Sequence, residues 1–359
     1  MGSEDGRWVL HVDLDQFIAA VEVLRRPELA GLPVIVGGRG DPSERAVVST
    51  ASYEARAFGV GSGMPLRIAA RKVPQAVILP VDAPTYTAAS EEVMKTLRAQ
   101  PGAVVQVLGW DEAFIGITTD DPEGFARRVQ QAVLDATGLH CSVGVGDTLV
   151  RAKVATGFGK PRGVFRLTSE NWLDVMGARP TIELWGVGTK ISRRLACLGI
   201  FTVAELAAVD PDALVAEFGP AMGPWYGQLG RGEGARVVDD TPWVPRGHSR
   251  ETTYQQNLEE RSQVEQAALD LLAKVLDDVS ADGRPVVGLG LKVRYAPFIT
   301  RTYTKKIPAT TDREVVVAKA MELVERIEPG RPVRLLGLRA EMAMPEDARR
   351  DHTPTRSGW

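Results

Sequence analysis

The stretch WVLHVDLDQFIAAVE, residues 8–22, sets two carboxylates, Asp13 and Asp15, at the end of an apolar run built on Val9, Leu10 and Val12. A second acidic pair, Asp111 and Glu112, follows Gly109-Trp110 between two alternating apolar stretches in AVVQVLGWDEAFIGITT. Carboxylates at the ends of neighbouring strands can converge on one point, where three or four of them do not stay ionised without cations. Magnesium, a hard ion with oxygen ligands at about 2.0–2.1 Å, would neutralise them. Two such ions about 3.5–4 Å apart clamp the attacking and leaving oxygens of a phosphoryl transfer. The plainer alternative is that Asp13 ends a strand and Asp111-Glu112 makes a turn, and either pair alone fits that at least as well.

A second group of residues suits phosphate. In TASYEARAFG, Tyr53 and Arg56 are spaced to share one face of a helix. Arg56 can fork onto phosphate oxygens and Tyr53 can donate its hydroxyl. Lys160 in GFGKPRG is a point charge suited to a triphosphate. A surface helix with an ordinary arginine explains Arg56 equally well. No stretch matches the P-loop pattern. Farther on, LWGVGTKISRRLACLGIFTVAEL places Gly186 and Gly188 between helical stretches, followed by Lys190, Arg193 and Arg194. Such a hairpin turns backbone N–H groups and a helix N-terminus toward a phosphate, or is simply a glycine turn.

The elements that must position these groups exceed one ordinary core, since the chain has 359 residues. With 44% hydrophobic and 25% charged residues it reads as globular. No apolar run approaches the roughly 20 residues of a membrane span, and no leader-like segment opens the chain, so a cytoplasmic protein without a membrane is expected. Two cysteines, Cys141 and Cys197, argue against a disulfide framework. His11, His140, His248 and His352 lack zinc-like spacing, which leaves carboxylates as the metal ligands. The net charge of −3 hides an asymmetry. From Arg284 to Lys306 the chain carries Lys292, Arg294, Arg301, Lys305 and no acid. Alternation there predicts two strands around Ala296-Pro297, with Lys292 and Arg294 on one face of the first and Arg301 and Lys305 on one face of the second. This is either a solvated sheet face or one that tracks a phosphate backbone.

Periodicity predicts a strand at 8–12, a helix at about 17–24, a strand in PVIVGG, and a helix in ASYEARAFGV stopped by Gly59. A helix at about 84–100, the hairpin around 109–112, a helix at about 122–137 and a strand in HCSVGVGD follow. Helices dominate from 171 to 235, and two prolines among charges mark 236–247 as a linker. Beyond it, strand, helix (about 259–281), two strands, helix (about 313–327) and strand make a β-α-β-β-α-β unit, so the chain is α+β.

Five blocks in this order resemble the Y-family translesion DNA polymerases, and within them the DinB or DNA polymerase IV branch. They are HVDLDQFIAAVE, VVSTASYEARAFGVGSGMPL, GWDEAFIGI, VGVGDTLVRAKVATGFGKPRG and LWGVGTKISRRLACLGIFTVAEL, with looser similarity to about residue 343. The resemblance implies a right-hand polymerase: palm (7–25 and 83–170), fingers (26–82), helix-hairpin-helix thumb (171–235), linker (236–247), little finger (248–344) and a flexible tail (345–359). It implies Asp13, Asp111 and Glu112 as catalytic metal ligands, helped by the carbonyl of Leu14. Phe17, Ile18, Tyr53, Arg56 and Lys160 would meet the incoming nucleotide. Gly186, Gly188, Lys190, Lys292, Arg294, Arg301 and Lys305 would meet DNA. Asp15 matches the motif but is not expected to be a ligand. The implied enzyme is a low-fidelity DNA-directed DNA polymerase without proofreading, a monomer working on primer-template DNA with two Mg2+ ions, for which Mn2+ could substitute.

The chain departs from that family at Ile18, where an aromatic side chain usually blocks a ribose 2′-hydroxyl. An aliphatic residue there, as in an actinobacterial subgroup that also carries GWDEA, predicts use of rNTPs beside dNTPs. Leu149 stands where many relatives have lysine. The tail PEDARRDHTPTRSGW contains no recognisable sliding-clamp peptide, which leaves clamp dependence open. Two rivals remain at this point. A palm-type nucleotide cyclase would lack the hairpin and the basic C-terminal unit, and a catalytically inactive DNA-binding relative would lack one of the acids.

Overall fold

The computed structural model describes residues 6–345, and the expectations for the tail beyond them, His352 included, lie outside that range. The chain divides into two compact units, Met1–Thr241 and Pro242–Trp359, a boundary that falls inside 236–247.

The first unit begins with β1 (Arg7–Leu14) and α1 (Phe17–Arg25), and continues through β2 (Val34–Val36), β3 (Thr50–Ala51), α2 (Tyr53–Arg56), α3 (Leu66–Lys72) and β4 (Val77–Leu79). Strands β3, β2 and β4 form a small sheet of their own, over a core of Ile35, Val48, Leu66 and Val73. The helix in ASYEARAFGV is a single short turn, 53–56, capped by the Ser52 hydroxyl. Next come α4 (Ala83–Arg98), β5 (Val104–Val107), β6 (Glu112–Thr118), α5 (Pro122–Thr137), β7 (Cys141–Gly146), α6 (Leu149–Gly159) and β8 (Val164–Leu167).

The main sheet has the order β5-β6-β1-β7-β8, antiparallel except for the final β7–β8 pair. Its two faces are distinct because side chains alternate along each strand. Leu10, Val12 and Leu14 enter the core beneath α1, α4 and α5, together with Phe17, Val93, Leu97, Val129 and Val133. Val9, His11 and Asp13 point the other way, toward α6, as do their cross-strand partners Phe114 and Glu112 on β6.

Periodicity does not predict helix α6, because its residues are buried on several sides and show little amphipathic pattern. It lies unusually close to β7. A Cβ on Gly144 would stand 2.0 Å from the Ala152 carbonyl oxygen and 2.4 Å from the Thr156 nitrogen. One on Gly146 would stand 2.4 Å from the Ala152 nitrogen. The two glycines of CSVGVG therefore set how near this helix comes to the sheet.

Helices complete the unit: α7 (Trp172–Met176), α8 (Thr189–Cys197), α9 (Val203–Ala208) and α10 (Pro211–Gly230), kinked at Gly219. Their core is built on Trp172, Leu184, Val187, Leu195, Leu206 and Leu214.

The second unit is β9 (Gly247–Leu258), α11 (Arg261–Asp282), β10 (Val286–Tyr295), β11 (Ile299–Thr310), α12 (Arg313–Val324) and β12 (Val333–Met342). The sheet order β11-β10-β12-β9 is antiparallel throughout. Leu289, Leu291, Val293 and Tyr295 pack against the two helices. Each basic strand keeps its pair on one face, and the register shows that the two pairs lie on opposite faces of the sheet. Lys292 faces Thr302 and Arg294 faces Thr300 on the open side, joined there by Lys306 opposite Gly288 and Arg339 opposite Gly290. Arg301 and Lys305 stand opposite Val293 and Leu289, on the helix-covered side, and Lys305 is paired with Glu322 of α12. Sequence alternation fixes the faces within each strand, but only the register relates one strand to the next.

Replacing Gly144 by alanine is expected to force α6 off the sheet. Urea unfolding of Gly144→Ala should show a loss of about 3 kcal/mol or more, and a loss below about 1 kcal/mol would mean the helix does not pack this tightly.

Candidate active site

Asp13 and Glu112 are direct cross-strand partners on β1 and β6, so both carboxylates leave the same face of the sheet. The Leu14 amide donates to the Asp111 carbonyl at 2.8 Å, which ties the ends of the two acid-bearing segments together. Ligand atoms of His11, Asp13 and Glu112 lie within 4.8 Å of one another. Among the described residues that is the group with metal-like spacing; the Asp111 carboxylate stands outside it, one residue along the turn.

The charges explain the geometry. Burial pushes the Asp13 carboxyl up, against the pull of Lys160, whose Nζ lies 2.5 Å from Asp13 Oδ1. Burial and then the Glu112 charge push Asp111 up. Burial alone would also raise Glu112, but contacts with His11 and Lys153 outweigh it and hold this carboxyl down to about 2. These are the effects expected when acids crowd together with only lysines to balance them.

His11 is 1% exposed, and burial holds its pKa below the ordinary value. The Thr156 hydroxyl donates to the carbonyls of His11 and Ala152 and sits 2.8 Å from His11 Nδ1. Nε2 lies 3.1 Å from the Lys153 ammonium. His11 Nε2 and Glu112 Oε2 lie 3.2 Å apart, and both are within reach of the same ammonium.

Lys153 and Thr156 on one face of α6, and Lys160 just past its C-terminal end, meet the acids. Of these only Lys160 stands out in the sequence. The signal for the others is their i, i+3 spacing, hidden as long as the helix itself is not recognised.

Asp15 is 4% exposed and turned away from the other acids. Its Oδ1 accepts from the Tyr53 hydroxyl at 2.8 Å and from Ser142 Oγ at 2.9 Å, and its Oδ2 accepts from the Arg162 amide at 2.8 Å. It fastens α2 and the turn after Lys160 to the end of β1. The Gln16 side chain accepts from the Tyr53 amide at 2.6 Å, adding a second tie to α2. Arg56 stacks over the Tyr53 ring at 5.2 Å and donates through Nε to the Ala51 carbonyl at 2.8 Å.

Ile18 is partly buried against the main core. Phe17 corrects an expectation: it is 3% exposed and belongs to that core, so its ring is not available to a nucleotide. At the hairpin Gly186 adopts φ +90°, and a Cβ there would stand 2.7 Å from the Trp225 ring. Gly188 caps α8, and Lys190 is exposed in that helix's first turn. No helix among the described residues is long and apolar enough to cross a membrane.

The carboxylates fit a hard divalent ion. Asp13, Asp111 and Glu112 bring oxygen donors to one edge of the sheet, and the one nearby nitrogen ligand, His11 Nε2, is engaged by a lysine.

The chain is similar to known proteins over most of its length. Residues 12–157 match the impB/mucB/samB family and 245–352 match that family's C-terminal domain. DNA polymerase IV 2 of Mycobacterium tuberculosis is 49% identical over 342 residues, covering 94% of this chain and 98% of that protein. DNA polymerase IV of Methanoculleus marisnigri is 37% identical over 350 residues, covering 94% of each. A Y-family DNA polymerase chimera of Dbh and Dpo4 shares the fold with a TM-score of 0.83, at 23% identity over 94% of this chain and all of that one. The fold is therefore the right-hand polymerase: a palm built on the main sheet, small fingers, a helical thumb and a β-α-β-β-α-β little finger. The chain belongs to the impB/mucB/samB family as a DinB-type Y-family polymerase, a DNA-directed DNA polymerase.

Proposed function

We propose that this enzyme extends a primer on damaged as well as intact templates, with Asp13, Asp111 and Glu112 as the catalytic acids. The observation that carries the reading is the cross-strand pair Asp13 and Glu112, with Lys160 on the former and Asp111 beside the latter. A cyclase would have no use for the glycine hairpin or the basic second unit, and an inactive relative would be free to lose an acid; all three are retained.

The three carboxylates and the Leu14 carbonyl would hold two divalent ions, magnesium by preference with manganese able to substitute. When bound, these supply acidity at the primer 3′-hydroxyl and charge at the departing pyrophosphate. The chain's own groups do the positioning. Lys160 moves from Asp13 to the triphosphate, Arg56 forks onto its oxygens, and Tyr53, steadied by Asp15, presents its hydroxyl. Fingers of about 26–82 offer a light cover over the nascent pair, which favours low fidelity and damage tolerance. No part of the chain is assigned to proofreading.

Ile18 lies in the first turn of α1, one residue beyond the core-bound Phe17. With a branched aliphatic in place of a ring, the sugar is expected to meet less bulk, and rNTPs to be inserted alongside dNTPs. The open face of the second unit's sheet, with Lys292, Arg294, Lys306 and Arg339, suits a phosphate backbone.

Three outcomes test this. With Mg2+, the native chain should lengthen an annealed primer and Asp111→Ala should be slower by about a hundredfold or more; a native chain that lengthens none would falsify the reading. In single-nucleotide insertion, Ile18→Phe should lower rNTP use by about tenfold or more while sparing dNTP use. Equal rNTP rejection by both proteins would remove Ile18 from the account. In DNA-binding titrations against salt, alanine at Lys292, Arg294 or Lys306 should each reduce the slope by about 1. Alanine at Arg301 and Lys305 together should change it by less than that.

A further inference from the structure

Lys153 is the charged residue at the site for which the polymerase reaction, as read above, has no task. Its side chain is 17% exposed, little for an ammonium, yet it is well satisfied. It pairs with Glu112 Oε2, approaches His11 Nε2 at 3.1 Å, and lies 5.6 Å from the centre of the Trp185 ring. Of these partners His11 is immobile, since it is buried and anchored to Thr156. Trp185 is 37% exposed and lies just before the Gly186 hairpin; its ring also meets Phe114, the sheet neighbour of His11, edge-on at 6.3 Å.

We propose that Lys153 is a positioning residue, a resident counter-cation that holds Glu112 aimed into the site and that an arriving divalent ion must displace toward the Trp185 ring. The inference rests on the reading of Asp13, Asp111 and Glu112 as ion ligands. An ion at about 2.1 Å from a Glu112 oxygen would share that carboxylate with the ammonium. Two cations cannot keep such a position without strong repulsion in a partly buried site. His11 cannot follow the lysine, so the side chain has to give way. The exposed indole face is the neighbouring surface that accepts a cation with little loss of hydration. Lys160 stands on Asp13 in the same manner, but the triphosphate gives it a destination. Lys153 has none of that kind, and its exchange is therefore with the ion itself. The device keeps Glu112 ordered between catalytic events and, by the same competition, weakens ion binding.

The test is calorimetric titration of the full-length protein with Mn2+, without DNA or nucleotide. Lys153→Met keeps the length and apolar stem and removes the charge. It should bind Mn2+ about tenfold more tightly than the native protein, and half-saturating Mg2+ for primer extension should fall in parallel. Lys153→Arg, which keeps the charge, should stay at the native affinity. Trp185→Leu should weaken Mn2+ binding by about threefold, and an unchanged value there would remove the indole from the proposal. Should Lys153→Met fold poorly by thermal unfolding, Lys153→Gln is read in the same way. Native or weaker Mn2+ affinity in the neutral variants overturns the inference. Asp13→Ala separates the two levels. If it leaves native Mn2+ binding intact, the acids are not the ligands and the underlying reading fails. If it abolishes binding while Lys153→Met does not tighten it, this inference fails alone.

Discussion

Like charges held close together in a partly buried place organise the first unit. Asp13 and Glu112 leave adjacent strands from the same face, and Asp111 follows at the turn. Such a cluster is stable only if positive charge reaches it, and here that charge comes from α6. The helix can deliver Lys153 and Lys160 because Gly144 and Gly146 let its backbone lie against β7. A pair of glycines thus decides whether the acids are balanced, and the balance decides whether the sheet end can be kept ionised for use with divalent ions.

Around that centre the remaining residues act as fasteners. Asp15 is the clearest example. It follows Asp13 by two positions at the strand end, but it is turned away from the other acids to join Tyr53, Ser142 and the Arg162 amide. Two aspartates one residue apart therefore do different work: one joins the acid cluster with Glu112 and Lys160, the other ties α2 and the turn after Lys160 to the end of β1. The second unit also separates its charges. Lys292, Arg294, Lys306 and Arg339 gather on the open face of the sheet, where Lys292 pairs with Glu251 of β9, and Lys305 on the other face pairs with Glu322 of α12.

Much of this was readable in advance. The order of strands and helices in the second unit, the hairpin around 109–112 and α5 follow from alternation and turn residues, because each has one wet face and one dry one. The acids and Lys160 could be picked out because their types have few other reasons to occur in apolar surroundings. Where the reading fell short, the physical reason was burial. Helix α6 has no single apolar stripe, so periodicity passes over it, and with it go Lys153 and Thr156. Phe17 looks available beside Ile18, yet its ring is part of the core.

By itself the sequence determined which chemistry was possible: oxygen ligands for hard ions, cations for phosphate, and an aliphatic side chain, Ile18, just after Phe17. Composition and local spacing settle such things because they depend on residue type and on neighbours a few positions away. Tertiary structure alone decided which charges meet. That His11 would share a lysine with Glu112, that Asp15 would hold Tyr53, and that Arg301 would part company with Arg294 all depend on register and on the distance between a helix and a sheet. Those are set by packing between segments far apart in the chain, which no local pattern records.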